Sequence, residues 1–116
     1  MPSPCRPDRE AGAATAELAV VLPALVLVTA ALLGALAAGA VHLRQIDAAA
    51  TAARSAARGD PAGTTASLVA AAGVGRIRSV AHDGGLVCVT VGADVPVLGD
   101  AALPLSARSC ALEAAG

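Results

Sequence analysis

The chain has 116 residues, 56% of them hydrophobic and none aromatic, and eight basic against nine acidic side chains give a net charge of −1. Such a length holds one domain at most. Without Phe, Tyr or Trp there is no base-stacking platform for single-stranded nucleic acid and no aromatic belt at a membrane interface. The balanced charge leaves no general attraction to nucleic acid or acidic lipid. All eight bases are Arg, which beside so much Ala reads as coding bias rather than recognition chemistry.

Residues 1–12 carry Pro2, Pro4 and Pro7 among Arg6, Asp8, Arg9 and Glu10. This stretch is too polar and too broken by Pro to fold, and reads as an unstructured leader. Cys5 within it is expected to be an incidental thiol; no apolar segment precedes it, so a lipoprotein reading fails.

From Leu18 to Val41 the chain runs 24 residues without a formal charge, and Glu17 stands at the mouth of the run. As a helix this run spans roughly 36 Å, enough to cross a hydrocarbon core of about 30 Å with some tilt. A lone carboxylate at the start of such a segment is costly in lipid and marks a functional position. Pro23 cannot donate to the Ala19 carbonyl, so a kink or loosened turn is expected there. Ala30 and Gly34 stand four apart, as do Ala35 and Gly39, a spacing that lets helix backbones approach closely in lipid.

The helical pattern continues from His42 to Arg58 but turns amphipathic, with Ile46, Ala49, Ala50, Ala53 and Ala57 as the apolar stripe. Gly59 and Pro61 end it. The tripeptide Arg58-Gly59-Asp60 is also an integrin-binding string, but the helix end accounts for it here.

Residues 62–73 read as a short second helix ending near Gly73. A hairpin follows: Arg76 to His82, the turn Asp83-Gly84-Gly85, then Leu86 to Val91. Leu86, Cys88 and Thr90 would face one way, and Val87, Val89 and Val91 the other. Pro96, Gly99-Asp100 and Pro104 predict a loop, and Leu103 to Leu112 a third strand carrying Cys110. The fold expected is α+β: a long N-terminal helix, a short helix and a β-hairpin or three-stranded antiparallel sheet. Its parts are a leader 1–12, a helix 13–58 with the transmembrane part at 18–41, and a small extracytoplasmic domain 59–116.

If the apolar run crosses a membrane, Cys5 lies apart from Cys88 and Cys110 in a different redox compartment. The latter two can then form a disulfide, worth about 3 kcal/mol in the chain-entropy model. The outer part is too small and too poor in large apolar residues to stand on its core alone. It needs the disulfide, docking on the Ile46 stripe, or a partner subunit.

Catalytic and metal-binding constellations do not emerge. His42 and His82 lack ligand spacing to Cys or carboxylate. His82 and Cys88 flank a tight hairpin with no third group, and the glycines match no phosphate loop. No enzymatic activity, metal or cofactor is expected.

A glycine followed five positions later by Glu and then an apolar helix is the pattern of type IV prepilin-like signals. The string from Gly12 through Glu17, Leu18 and Pro23 to Leu25 closely resembles the TadE-like minor pilins and pseudopilins of tight-adherence (Flp, type IVb) pilus systems. There Glu, an apolar pair and a Pro six residues after the Glu recur. The Ala/Arg-rich stretch ending at Asp60 and the Asp-Gly-Gly hairpin look like the short forms found in high-GC Gram-positive bacteria.

The resemblance implies cutting by a prepilin peptidase after Gly12, leaving Ala13 as the new N-terminus. Glu17 of one subunit would then pair with the Ala13 amine of its neighbour, offsetting desolvation of both groups and setting the axial register. Partners implied are the peptidase, other pilin or pseudopilin subunits, Tad assembly-platform proteins and membrane lipid, and not nucleic acid. The location implied is the cell membrane, single-pass with the C-terminus outside, and from there the cell surface or a pilus. Arg residues flank both ends of the run, so this orientation rests on the resemblance and on the cysteine argument.

Two rivals remain. Ala35-Leu36-Ala37 and Ala38-Gly39-Ala40 each offer a small-x-small signal-peptidase site, which would make the chain a secreted protein. The run is longer than a usual signal core. An uncut single-pass anchor that binds another membrane protein is the other.

Overall fold

The computed structural model describes residues 9–114. The order of elements is α1 (Arg9–Ala57), α2 (Ala62–Ala72), β1 (Arg76–Asp83), β2 (Leu86–Leu98) and β3 (Ala101–Leu112). The three strands form one antiparallel sheet in the order β1-β2-β3. The architecture is therefore α+β, with a long N-terminal helix, a short helix and a three-stranded sheet.

Helix α1 is 49 residues long and stays helical through Pro23. It begins at Arg9, which corrects the expectation of an unstructured leader at 9–12; residues 1–8, Cys5 among them, lie outside the described residues. The last proline before the helix is Pro7, and the Ala-rich chain beyond it favours helix. The chain divides into two compact units, residues 1–35 and Leu36–Gly116. The second unit thus begins inside α1 rather than after it.

In that second unit the core is a helix face laid on a sheet face. Val87, Val89 and Val91 of β2 are fully buried, together with Ala49, Ala52 and Ala53 of α1 and Val69 of α2. Alternation along β2 puts every second residue inward, which is why three valines two apart share this fate. Of the expected stripe, Ala49, Ala53 and Ala57 are buried and Ala50 half-buried, but Ile46 is corrected: it is 42% exposed, and Gln45, Ala48, Ala52 and Ser55 complete the buried face. A close approach between helix and sheet selects small side chains, so the largest apolar residue of this segment is turned outward.

Gly73 caps α2 in the left-handed conformation at φ 66°. Gly75, at φ 127°, passes so close to β2 that a Cβ there would meet the Gly92 carbonyl oxygen at 2.4 Å. Gly84 and Gly85 both have positive φ and make the two-residue turn between β1 and β2, the backbone twist that suits a tight hairpin.

The loop expected at Pro96, Gly99-Asp100 and Pro104 is also corrected. Only Gly99-Asp100 is a turn; Pro96 lies within β2 and Pro104 within β3. β1 pairs with β2 no further than Gly92, and β3 is an edge strand throughout. Both prolines therefore sit where a ladder neighbour is missing on one side, the setting in which a strand tolerates Pro.

Candidate functional site

Each unit contributes its own features. In the first, residues 12–35 are exposed without exception, including Leu18, Val21, Leu25, Leu27 and Leu32. The helix from Gly12 to Ala57 has mean hydropathy 2.5 over its most apolar window, and none of that window is buried. α1 is thus long and apolar enough to cross a membrane. Large side chains point outward all around it, and none of the described residues covers them.

Gly12 and Ala13 are both exposed and lie in the first turns of α1. The first four N–H groups of any helix lack intrahelical acceptors, and here those belong to residues 9–12. The Gly12–Ala13 peptide lies just beyond these, with the Ala13 N–H and the Gly12 carbonyl inside the helical ladder. Glu17 is exposed and, among the described residues, has no hydrogen-bond or ion-pair partner. It stands one helical turn beyond Ala13 and eight residues beyond the start of α1 at Arg9, past the first turn in which the helix dipole favours a carboxylate. Pro23 leaves the Ala19 carbonyl without its helical donor.

Ala30, Gly34 and Ala35 are exposed in this unit, and a Cβ built on Gly34 would meet nothing within 4 Å. The same is true of Gly39, in the second unit. The fold of the single chain does not require glycine at either position.

In the second unit the polar groups hold the layers together. Gln45 is fully buried, and its Nε2 donates to the carbonyls of Val74 at 3.0 Å and Leu105 at 3.3 Å. It ties α1 to the α2–β1 connection and to β3 at once. Its Oε1 and His42 Nδ1 are buried with no hydrogen-bond partner among the described residues. Ser55 Oγ donates to Asp60 Oδ2 at 2.8 Å and shares a 3.0 Å hydrogen bond with Thr65. Arg58 donates to the same Asp60 oxygen at 3.1 Å. Asp60 is thus engaged in closing the α1–α2 corner, and the Arg58-Gly59-Asp60 string is part of that corner.

Sequence reasoning missed Gln45, Ser55 and Thr65. The available signal was position: Gln45 and Ser55 fall on the same helical face as Ala48 and Ala52, and were passed over because they are polar.

Cys88 and Cys110 lie directly opposite each other in the β2–β3 register and are joined by a disulfide of 2.02 Å. A cleft of about 430 Å³ opens between the end of α1, α2 and β1, walled by Ala56, Ala66, Ile77 and Val80 with Asp60 and His82 at its polar side. His82 and Cys88 are not brought together as a nucleophile–base pair, since the cysteine is in the disulfide. Among the described residues no three of His, Cys, Asp and Glu converge as metal ligands.

The arrangement thus offers an exposed apolar helix with an exposed carboxylate at Glu17, and a small domain whose layers are tied by Gln45, Ser55 and the Cys88–Cys110 disulfide. Comparison with protein-family models, with curated proteins and with solved structures finds no match for this chain.

Proposed function

We propose that the chain is a minor pilin or pseudopilin, a structural subunit of a Tad/Flp-type pilus or secretion assembly. The observation that carries this reading is the exposed apolar length of α1, introduced by Gly12 and Glu17. A helix that is apolar on every side demands lipid or other helices around it. In this account a prepilin peptidase cuts after Gly12 and lipid holds the subunit until assembly. The apolar lengths of neighbouring subunits, together with the assembly platform, then replace lipid around α1. Glu17 and the new Ala13 amine pair across subunits, and Gly34 and Gly39 admit a neighbouring backbone.

One observation favours the secreted reading instead. The compact unit begins at Leu36, so a cut after Ala37 or Ala40 would leave Gln45–Ala57 and the whole sheet intact. Intact-mass measurement on the protein purified from its own membranes or medium separates the two. The pilin reading expects a mature chain of 104 residues, the 116 of the full sequence less the first 12. A product starting at or after Ala38 would overturn it.

A further inference from the structure

Beyond Gly92 the sheet narrows to two strands, because β1 ends its pairing there while β2 and β3 continue to the turn at Gly99-Asp100. Residues 95–105 of this ribbon read VPVLGDAALPL, with Asp100 the sole charge. Val97 is 61% exposed and Leu103 43%. A two-stranded ribbon is marginal in water by itself, and this one presents apolar side chains outward.

Two hydrogen bonds fix where the ribbon lies along α1 within the same compact unit. Gln45 donates to the Leu105 carbonyl, and the Ala114 N–H donates to the Ala57 carbonyl. The chain from Leu105 in β3 to Ala114 just beyond it therefore runs in the same direction as α1, its nine residues corresponding to twelve of the helix. Carried back from Leu105 at the same slope, the Gly99-Asp100 turn falls about seven helical residues before Gln45, near Ala38, a distance of roughly 11 Å along the axis. Ala38 and Val41 are the first residues of α1 that are not exposed. They also close the apolar run of 18–41, so the ribbon tip is level with the end of that run.

We propose that the tip of the β2–β3 ribbon rests in the interfacial layer of the bilayer that α1 crosses, with Val97 and Leu103 against lipid. This rests on the membrane-helix part of the functional reading. The apolar run is about 36 Å as helix against roughly 30 Å of hydrocarbon, so its last residues lie at the headgroup boundary, and the tip with them. The side of β2 beyond Gly92 that faces away from β3 lacks a strand partner. Unpaired backbone is excluded from hydrocarbon, which holds the ribbon at the interface with Asp100 among the headgroups. The ribbon thereby sets the height and rotation of the domain on the membrane before assembly.

The chain has no aromatic residue, so a single introduced Trp reports its own surroundings. Full-length Val97→Trp, Leu103→Trp, Leu27→Trp and Ala71→Trp variants are reconstituted in phosphatidylcholine vesicles brominated at the headgroup end of the acyl chains. The expected result is emission from Val97→Trp and Leu103→Trp shifted to shorter wavelength and quenched by lipid bromine several-fold more than Ala71→Trp on exposed α2. If Leu27→Trp is protected from aqueous iodide while Val97→Trp and Leu103→Trp are as iodide-accessible as Ala71→Trp, the ribbon proposal fails and the membrane helix stands. If Leu27→Trp is itself open to iodide, the membrane reading fails and takes the proposal with it. A concentration-dependent shift at position 97 without bromine quenching would assign the ribbon to a second copy of the chain and overturn contact with lipid.

Discussion

Two lengths of α1 obey opposite rules. Residues 12–35 hold the large apolar side chains, Leu and Val, and all of them are exposed; residues 45–57 hold Ala, Ser and Gln, and most of these are buried. Burial in this molecule follows fit to a neighbour rather than hydrophobicity. The second length lies on β2, where small residues let the helix approach and the valines of the sheet fill the layer. The first is covered by none of the described residues, and an apolar helix of this kind suits lipid or other helices. One helix therefore carries the interior of a domain and an apolar length that no described residue buries.

That contrast can be broken at several points, and stability is best read by amide hydrogen exchange at Val87, Val89 and Val91, because the chain offers no aromatic chromophore. The largest effect is expected at the sheet. Cys110→Ser opens the Cys88–Cys110 link across a separation of 22 residues and should cost the second unit about 3 kcal/mol; unchanged exchange protection would contradict the role given to the disulfide.

Next, Ala52→Leu places extra volume at a fully buried position and should cost about 2 kcal/mol through overpacking. Its counterpart Leu27→Ala, at a residue 70% exposed, should leave exchange in the second unit unchanged. Equal losses from the two substitutions would erase the distinction between the two lengths of helix.

Within the core of the second unit the smallest loss is expected at Gln45→Leu, which leaves the Val74 and Leu105 carbonyls without their donor. It also removes an unpartnered buried Oε1, so the cost should stay near 1 kcal/mol, toward the low end for unpaired buried groups. Faster exchange should be confined to the start of β1 and to β3 near Leu105.

Much of the architecture was legible in the sequence because its signals are local. The uncharged run announced α1, Gly73 ended α2, and Asp83-Gly84-Gly85 announced the first hairpin with the inward valines beyond it. What was not legible depended on tertiary context. Pro96 and Pro104 read as loop residues because proline cannot donate to a ladder; only the sheet order reveals that β2 outruns β1 and leaves those positions at an edge. Ile46 read as core because it is large and apolar, yet closeness of the layers selected Ala instead. Gln45 showed its burial only by its place on the Ala48 and Ala52 face, since its partners are backbone carbonyls 29 and 60 residues away. For the candidate site, Gly12, Glu17, Gly34 and Gly39 were legible as a spacing. On the proposed reading their meaning lies in partners outside the chain, which no folding pattern within it encodes.

The central claim is that Glu17 serves assembly and not the fold or the insertion of its own chain. The most direct test is Glu17→Ala in the native host, measuring membrane fractionation and incorporation into the sheared or cross-linked pilus fraction in the same cells. The account predicts normal membrane insertion, unchanged exchange protection in the second unit, and loss of the subunit from the assembled fraction. Incorporation equal to that of the unaltered chain, or loss of insertion itself, would contradict it.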